Sequence, residues 1–153
     1  MTTLDKMEQC AKESSKRIVE SGDTHNPIML VDTPMGLCVV GIGGLKDKFR
    51  TSIPPLLRKM RATGYVLIVE AWTTITPVGS DNARKILGGE MEVHELPPDD
   101  RDEAIIIISV EKGNRGKVMT AIIDNTPNGR KLRQFRDLPG ASRSMGRMAI
   151  EDW

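Results

Sequence analysis

Two stretches of this chain are dense in β-branched residues with almost no polar interruption. One runs Tyr65-Val66-Leu67-Ile68-Val69-Glu70-Ala71-Trp72 and the other Ala104-Ile105-Ile106-Ile107-Ile108-Ser109-Val110. Both predict strands. In the first, the two-residue period puts Val66, Ile68, Glu70, Trp72 and Thr74 on one face. Tyr65, Leu67, Val69 and Ala71 take the other, which packs more simply against helices.

Elsewhere the spacing changes. Leu4, Met7, Ala11, Ser14 and Ile18 recur at helical intervals, with Thr2 or Thr3 able to cap the start and Gly22 to stop the helix. His25-Asn26-Pro27 is a turn into a short strand over 28–31, and Asp32-Thr33-Pro34-Met35-Gly36 is a hairpin-like connection to a second over 37–42. Phe49, Ile53, Leu56, Leu57 and Met60 give an apolar helical face over 46–63. Pro54-Pro55 predicts a kink there, or a restart capped by Ser52. The third strand covers 65–76, and a loop rich in Pro, Gly and acid spans 77–102. The fourth strand covers 103–112 and the fifth 117–124. Turns follow at 113–116 and 125–129, and a short strand at 132–135 is an option.

The order α-β-β-α-β-β-β predicts an α+β domain. It is a two-layer sandwich with a mostly antiparallel five-stranded sheet and helices on one face. Residues 1–137 form this single domain, and 138–153 read as a mobile C-terminal tail. The architecture resembles profilin-like and roadblock-like domains, a likeness of fold that assigns no activity.

A chain of 153 residues is one domain in size. Aromatics make up only 3%, so the core is aliphatic, with nine Met to fill irregular space. No apolar run is long enough for a membrane span, and residues 1–9 lack a signal-peptide core. Cys10 and Cys38 read as reduced thiols in a cytoplasmic protein.

The net charge of +1 hides an asymmetry. Residues 46–61 hold six Lys or Arg against Asp47, and residues 112–147 hold nine against Asp124 and Asp137. Residues 90–103 hold seven carboxylates against Arg101. Solvated loops and helix faces are the plain explanation; a basic surface for an anionic partner is the sharper one.

The first candidate site is Glu70 with Trp72. A carboxylate in mid-strand is costly to bury unpaired. The plain reading sets Glu70 cross-strand from a Lys or Arg. The functional reading makes Trp72 a flat apolar surface and Glu70 an acceptor for a ligand or partner. Arg101 and Glu103, at the start of the fourth strand, join this candidate site. The cluster Asp99, Asp100, Asp102, Glu103 lacks the spaced ligands of a calcium loop. His25 and His94 have no metal-ligand spacing, and His25 reads as a turn residue. Neither a metal site nor a cofactor is expected. A weaker anion-binding set comprises Gly43, Gly44, Lys46, Lys48, Arg130, Lys131 and Arg133. The Gly-rich turn within it is neither a dinucleotide fingerprint nor a P-loop.

Glu70-Ala71-Trp72, followed by Arg101-Asp102-Glu103 leading into an aliphatic strand, resembles a group of small uncharacterised phage and bacterial proteins. The likeness covers roughly residues 4–125 and rests on short motifs; Pro54-Pro55 and the basic C-terminal part depart from it. It implies a stand-alone cytosolic protein, phage-encoded in one reading, and brings no activity. Three functions follow as expectations. The first is a non-enzymatic binding protein that engages a protein partner or small anionic ligand through the sheet face of Glu70 and Trp72. The second is a metal-dependent hydrolase in which Glu70, Glu103 and Asp124 converge on Mg²⁺. The third is nucleic-acid or nucleotide binding through the basic segments. The aliphatic run at Ile105–Ile108 adds the expectation of a homo-oligomer.

Overall fold

The computed structural model of the chain describes residues 1–43, 48–74, 77, 79–138 and 150–153. Three helices and seven strands appear among them. The strands are β1 (Ile28–Thr33), β2 (Gly36–Gly41), β3 (Gly64–Thr73), β4 (Asp102–Glu111), β5 (Lys117–Thr126), β6 (Gly129–Leu132) and β7 (Arg136–Asp137). The helices are α1 (Thr3–Glu20), α2 (Phe49–Lys59) and α3 (Asp81–Leu87). The strands form one antiparallel sheet in the order β2-β1-β3-β4-β5-β6, with β7 also paired to β5.

The α+β class and the antiparallel sheet agree with the sequence pattern, but the expected five strands become seven. The extra pair arises because β5 runs on to Thr126 and turns back at once. Thr126-Pro127-Asn128-Gly129 repeats the chemistry of Thr33-Pro34-Met35-Gly36. In each, the Thr Oγ1 donates to the Gly carbonyl at 2.6 Å. In each, the Gly has a positive φ, 119° at Gly36 and 115° at Gly129, open to residues without a Cβ. The optional strand at 132–135 therefore lies earlier, at 129–132.

The buried side chains fall into two clusters. Met7, Ala11 and Val19 of α1 pack with Val66, Ile68, Ile105, Ile107, Met119 and Ile123. Phe49, Ile53 and Leu57 of α2 pack with Tyr65, Leu67, Val69, Ile108, Val110 and Val118. Neighbouring residues of β3 thus belong to different clusters, and alternate residues point to opposite faces. The two helices therefore cover opposite faces, which corrects the expectation of helices on one face. The reason lies in β3 and β4, whose apolar runs have no polar side to leave in water. Ile105, Ile107 and Ile108 are fully buried within one copy, so they offer no surface to a second copy.

Local sequence explains the helix ends. Thr2 accepts from the Asp5 backbone N–H, and Asp5 returns a bond to the Thr2 N–H, a complete capping box. The buried row of α1 runs through Ser15 rather than Ser14, and Ser15 Oγ satisfies itself on the Ala11 carbonyl at 2.7 Å. α2 is continuous through Pro54 and Pro55 and is not restarted at Ser52. The prolines remove the bonds back to residues 50 and 51, both at the solvent-exposed start of the helix, where losing them costs least. The expected loop at 77–102 contains α3, capped by Ser80 Oγ accepting from the Ala83 N–H at 3.2 Å.

The expected mobile tail begins with Leu138, and residues 139–149 lie outside the described residues. Residues 150–153 are docked instead. Ile150 is buried in the α2-side cluster. Its N–H donates to Tyr65 Oη at 2.8 Å, and the Trp153 indole donates to the Ala62 carbonyl at 2.9 Å.

Candidate functional site

The two carboxylates singled out in the sequence come together. Glu70 stands near the end of β3 and Glu103 near the start of β4, on the face that α1 covers. The antiparallel register sets Glu70 opposite Ile105, and Trp72 opposite Glu103. The residue that joins the carboxylates is Arg130, from β6. Its Nη2 donates to Glu70 Oε1 at 2.6 Å and to Glu103 Oε2 at 3.1 Å. Its Nη1 donates to the Asp23 carbonyl at 2.8 Å. One guanidinium thus ties together β3, β4 and the turn after α1.

The three side chains are sheltered, with 12%, 26% and 16% of the surface of Glu70, Glu103 and Arg130 exposed. Charge-assisted bonds in such a setting are stronger than at an open surface. Glu70 is therefore paired, as the plain reading of the sequence has it, and its partner comes from β6, two strands beyond the neighbouring β4. Arg130 was grouped with an anion-binding set, and this geometry corrects that role. Its guanidinium is engaged by two carboxylates and a carbonyl.

Trp72 follows Glu70 on the same face and is 39% exposed. The Arg101 guanidinium lies over its ring, 4.3 Å from the centroid, a cation–π contact. Arg101 Nε is buried with no hydrogen-bond partner among the described residues. The strand end is anchored by Thr74 Oγ1, which donates to the Asp100 carbonyl at 2.6 Å. The four residues of the first candidate site thus gather at one end of the β3–β4 pair, Glu70 and Trp72 on β3, Glu103 on β4 and Arg101 just before β4.

The other candidates do not assemble. Asp124 alternates with Ile123 on β5, so it faces away from Glu70 and Glu103. It is held by Arg133 through two bonds of 2.7 Å. That pairing holds the Asp124 carboxyl below its ordinary range. The expected convergence of Glu70, Glu103 and Asp124 on a cation does not occur, because strand alternation separates the third carboxylate from the other two. Among the described residues no group of three or more His, Cys, Asp or Glu is placed to hold a metal ion.

The anion-binding set is divided as well. Gly43 follows β2, at one edge of the sheet, and Lys48 precedes α2, whereas Arg130 and Lys131 belong to β6 at the other edge and Arg133 follows it. Gly44 and Lys46 lie outside the described residues. Arg130 and Arg133 are both neutralised by carboxylates. His94 pairs with Glu92 at 3.0 Å on the surface. His25, in the segment between α1 and β1, is buried, and its Nδ1 donates to the Asn26 carbonyl at 2.7 Å. Both cysteines are free.

The clamp by Arg130 was missed at the level of sequence. Its signal was the second Thr-Pro-x-Gly turn, which predicts a further antiparallel strand and places residue 130 beside β5. Comparison with protein-family models, with curated proteins and with solved structures finds no match to this chain.

Proposed function

We propose that this chain is a small non-enzymatic binding protein that engages a protein partner or small ligand at the β3–β4 strand ends. The observation that carries the proposal is Trp72. It is a large ring, 39% exposed, at the end of a strand whose first six residues are buried. An exposed indole fixed in place offers flat apolar area at little entropic cost. Arg101 over one face and Glu103 across the strand give that surface polar edges. Arg130 supports it from behind by locking Glu70 and Glu103 in position.

The proposal places the protein in a reducing compartment, which suits the two free cysteines. No described helix is long and apolar enough to cross a membrane. The link to phage proteins rests on the Glu-Ala-Trp and Arg-Asp-Glu motifs. Metal-dependent hydrolysis and nucleic-acid binding draw less support, since Asp124 is turned away and the basic residues are divided or paired.

The chain has two tryptophans, so Trp153→Phe leaves Trp72 as the sole emitter. Fractionated extract of the source cells should shift or quench its emission in a saturable way. An emission indifferent to every fraction would count against the site.

A further inference from the structure

We propose that the free edge of β2 takes up an extended acidic peptide as an added strand, with Lys59 and Arg61 receiving its carboxylate. This site is separate from the Trp72 surface and goes beyond that reading. Among the described residues β2 ends the sheet and pairs with β1 alone. The two-residue loop makes Thr33 and Gly36 a hydrogen-bonded pair, and alternation along an antiparallel ladder then turns the amides of Leu37, Val39 and Gly41 outward. The Ile42 N–H donates inward to the Pro27 carbonyl, as that alternation requires.

Among the described residues this edge lacks the usual protection. Edge strands in soluble proteins are blunted by charge, proline or a covering element. The β2 sequence Gly36-Leu37-Cys38-Val39-Val40-Gly41 contains no charge and no proline. Leu37 is 55% and Val39 61% exposed. The open backbone and alternate apolar side chains are the features that strand addition uses.

The same edge borders a groove of about 510 Å³ whose lining includes Pro34, Leu37, Cys38, Met60, Lys59 and Arg61. No acidic residue lines it among the described residues. Neither cation belongs to an ion pair found among the described residues. Arg61 is also the one described non-glycine residue at positive φ, 54°. It ends α2 in a Schellman turn, with the Ala62 N–H on the Leu57 carbonyl and the Arg61 N–H on that of Arg58. Glycine is the unstrained residue at that position, so holding an Arg there carries a backbone cost.

Charge complementarity selects the occupant. An apolar strand edge beside two unpaired cations fits an extended segment with alternate apolar side chains and a carboxylate. A second copy fits less well. In a two-fold antiparallel pairing, each groove would meet the partner's Gly41-Ile42-Gly43 end, whose described residues bring no carboxylate.

The test uses the full chain and fluorescein-labelled peptides about seven residues long that alternate Val and Thr. One set carries Glu at each position in turn, and the matched set carries Lys. Anisotropy should show saturable binding of Glu peptides about tenfold or more tighter than their Lys counterparts. Val39→Lys should abolish it. If that variant does not fold, Leu37→Lys takes its place. Arg61→Gly should remove the Glu preference while the melting temperature holds or rises, an outcome a merely structural role for Arg61 would not give. Equal binding of both sets, no binding of either, or binding untouched by the β2 substitutions would overturn the proposal. So would a dimer of the free protein that Val39→Lys dissociates, since a second copy would then occupy the edge. None of these readouts involves Trp72, so failure here leaves the Trp72 reading standing, and the reverse.

Discussion

Arg130 and Glu70 are 60 residues apart in sequence and 2.6 Å apart in space. The contact joins the short sixth strand to the central third one and makes a charged cluster of what the sequence presents as a lone mid-strand carboxylate. Removing the cation should hurt more than removing the whole pair. Arg130→Met leaves two sheltered carboxylates facing each other and should cost about 1–3 kcal/mol in urea unfolding, discounted from a fully buried pair for the residual exposure. Adding Glu70→Gln should recover part of that loss. A double-mutant cycle with no coupling would show that the cluster does not contribute as described.

Tyr65 is the chain's one tyrosine, and burial pushes its phenol above the ordinary value of 10.0. Its oxygen accepts from the Ile150 N–H and its hydroxyl donates to the Ile150 carbonyl. The sign follows from the raised value: the unfolded chain loses this proton first. The contribution to stability is full below pH 10.0 and is lost as the pH rises through the higher folded value. Phenolate absorbance should therefore appear together with unfolding, and Tyr65→Phe should lose that coupling. The same variant should cost about 1–2 kcal/mol, by stranding the Ile150 N–H.

Gly64 opens β3, where a Cβ would stand 2.9 Å from the Val110 carbonyl oxygen. That atom is backbone in a paired strand and has no rotamer to escape into. Gly64→Ala should destabilise by about 1–3 kcal/mol as the β3–β4 ladder shifts. Thermal melts of Gly64→Ala against Gly43→Ala check this, because Gly43 has no described residue within 4 Å of a Cβ and should tolerate the change.

The central strands were legible because their composition admits one reading. Five consecutive buried residues, Tyr65 to Val69, are strand in any context that covers both faces. The same run also implied cover on both faces, a consequence that analogy with a two-layer sandwich obscured. β6 was hidden for a different reason. Gly129-Arg130-Lys131-Leu132 has one apolar residue, and its pairing is dictated by the turn before it rather than by its own pattern. Glu70, Trp72, Arg101 and Glu103 could be placed together because strand register is local. Arg130 could not, since its position depends on a long-range return of the chain. The docking of Ile150 and Trp153 was likewise invisible, because a short segment that fills a cavity carries no periodicity.

The account stands on Trp72 as a recognition surface. The measurement that addresses it most directly is native mass spectrometry of the protein purified gently from its own cells, wild type beside Trp72→Ala. The account predicts a bound mass on the wild type that is absent from a variant of unchanged melting temperature. A bound mass that survives the substitution, or a wild type that carries nothing at all, would contradict it.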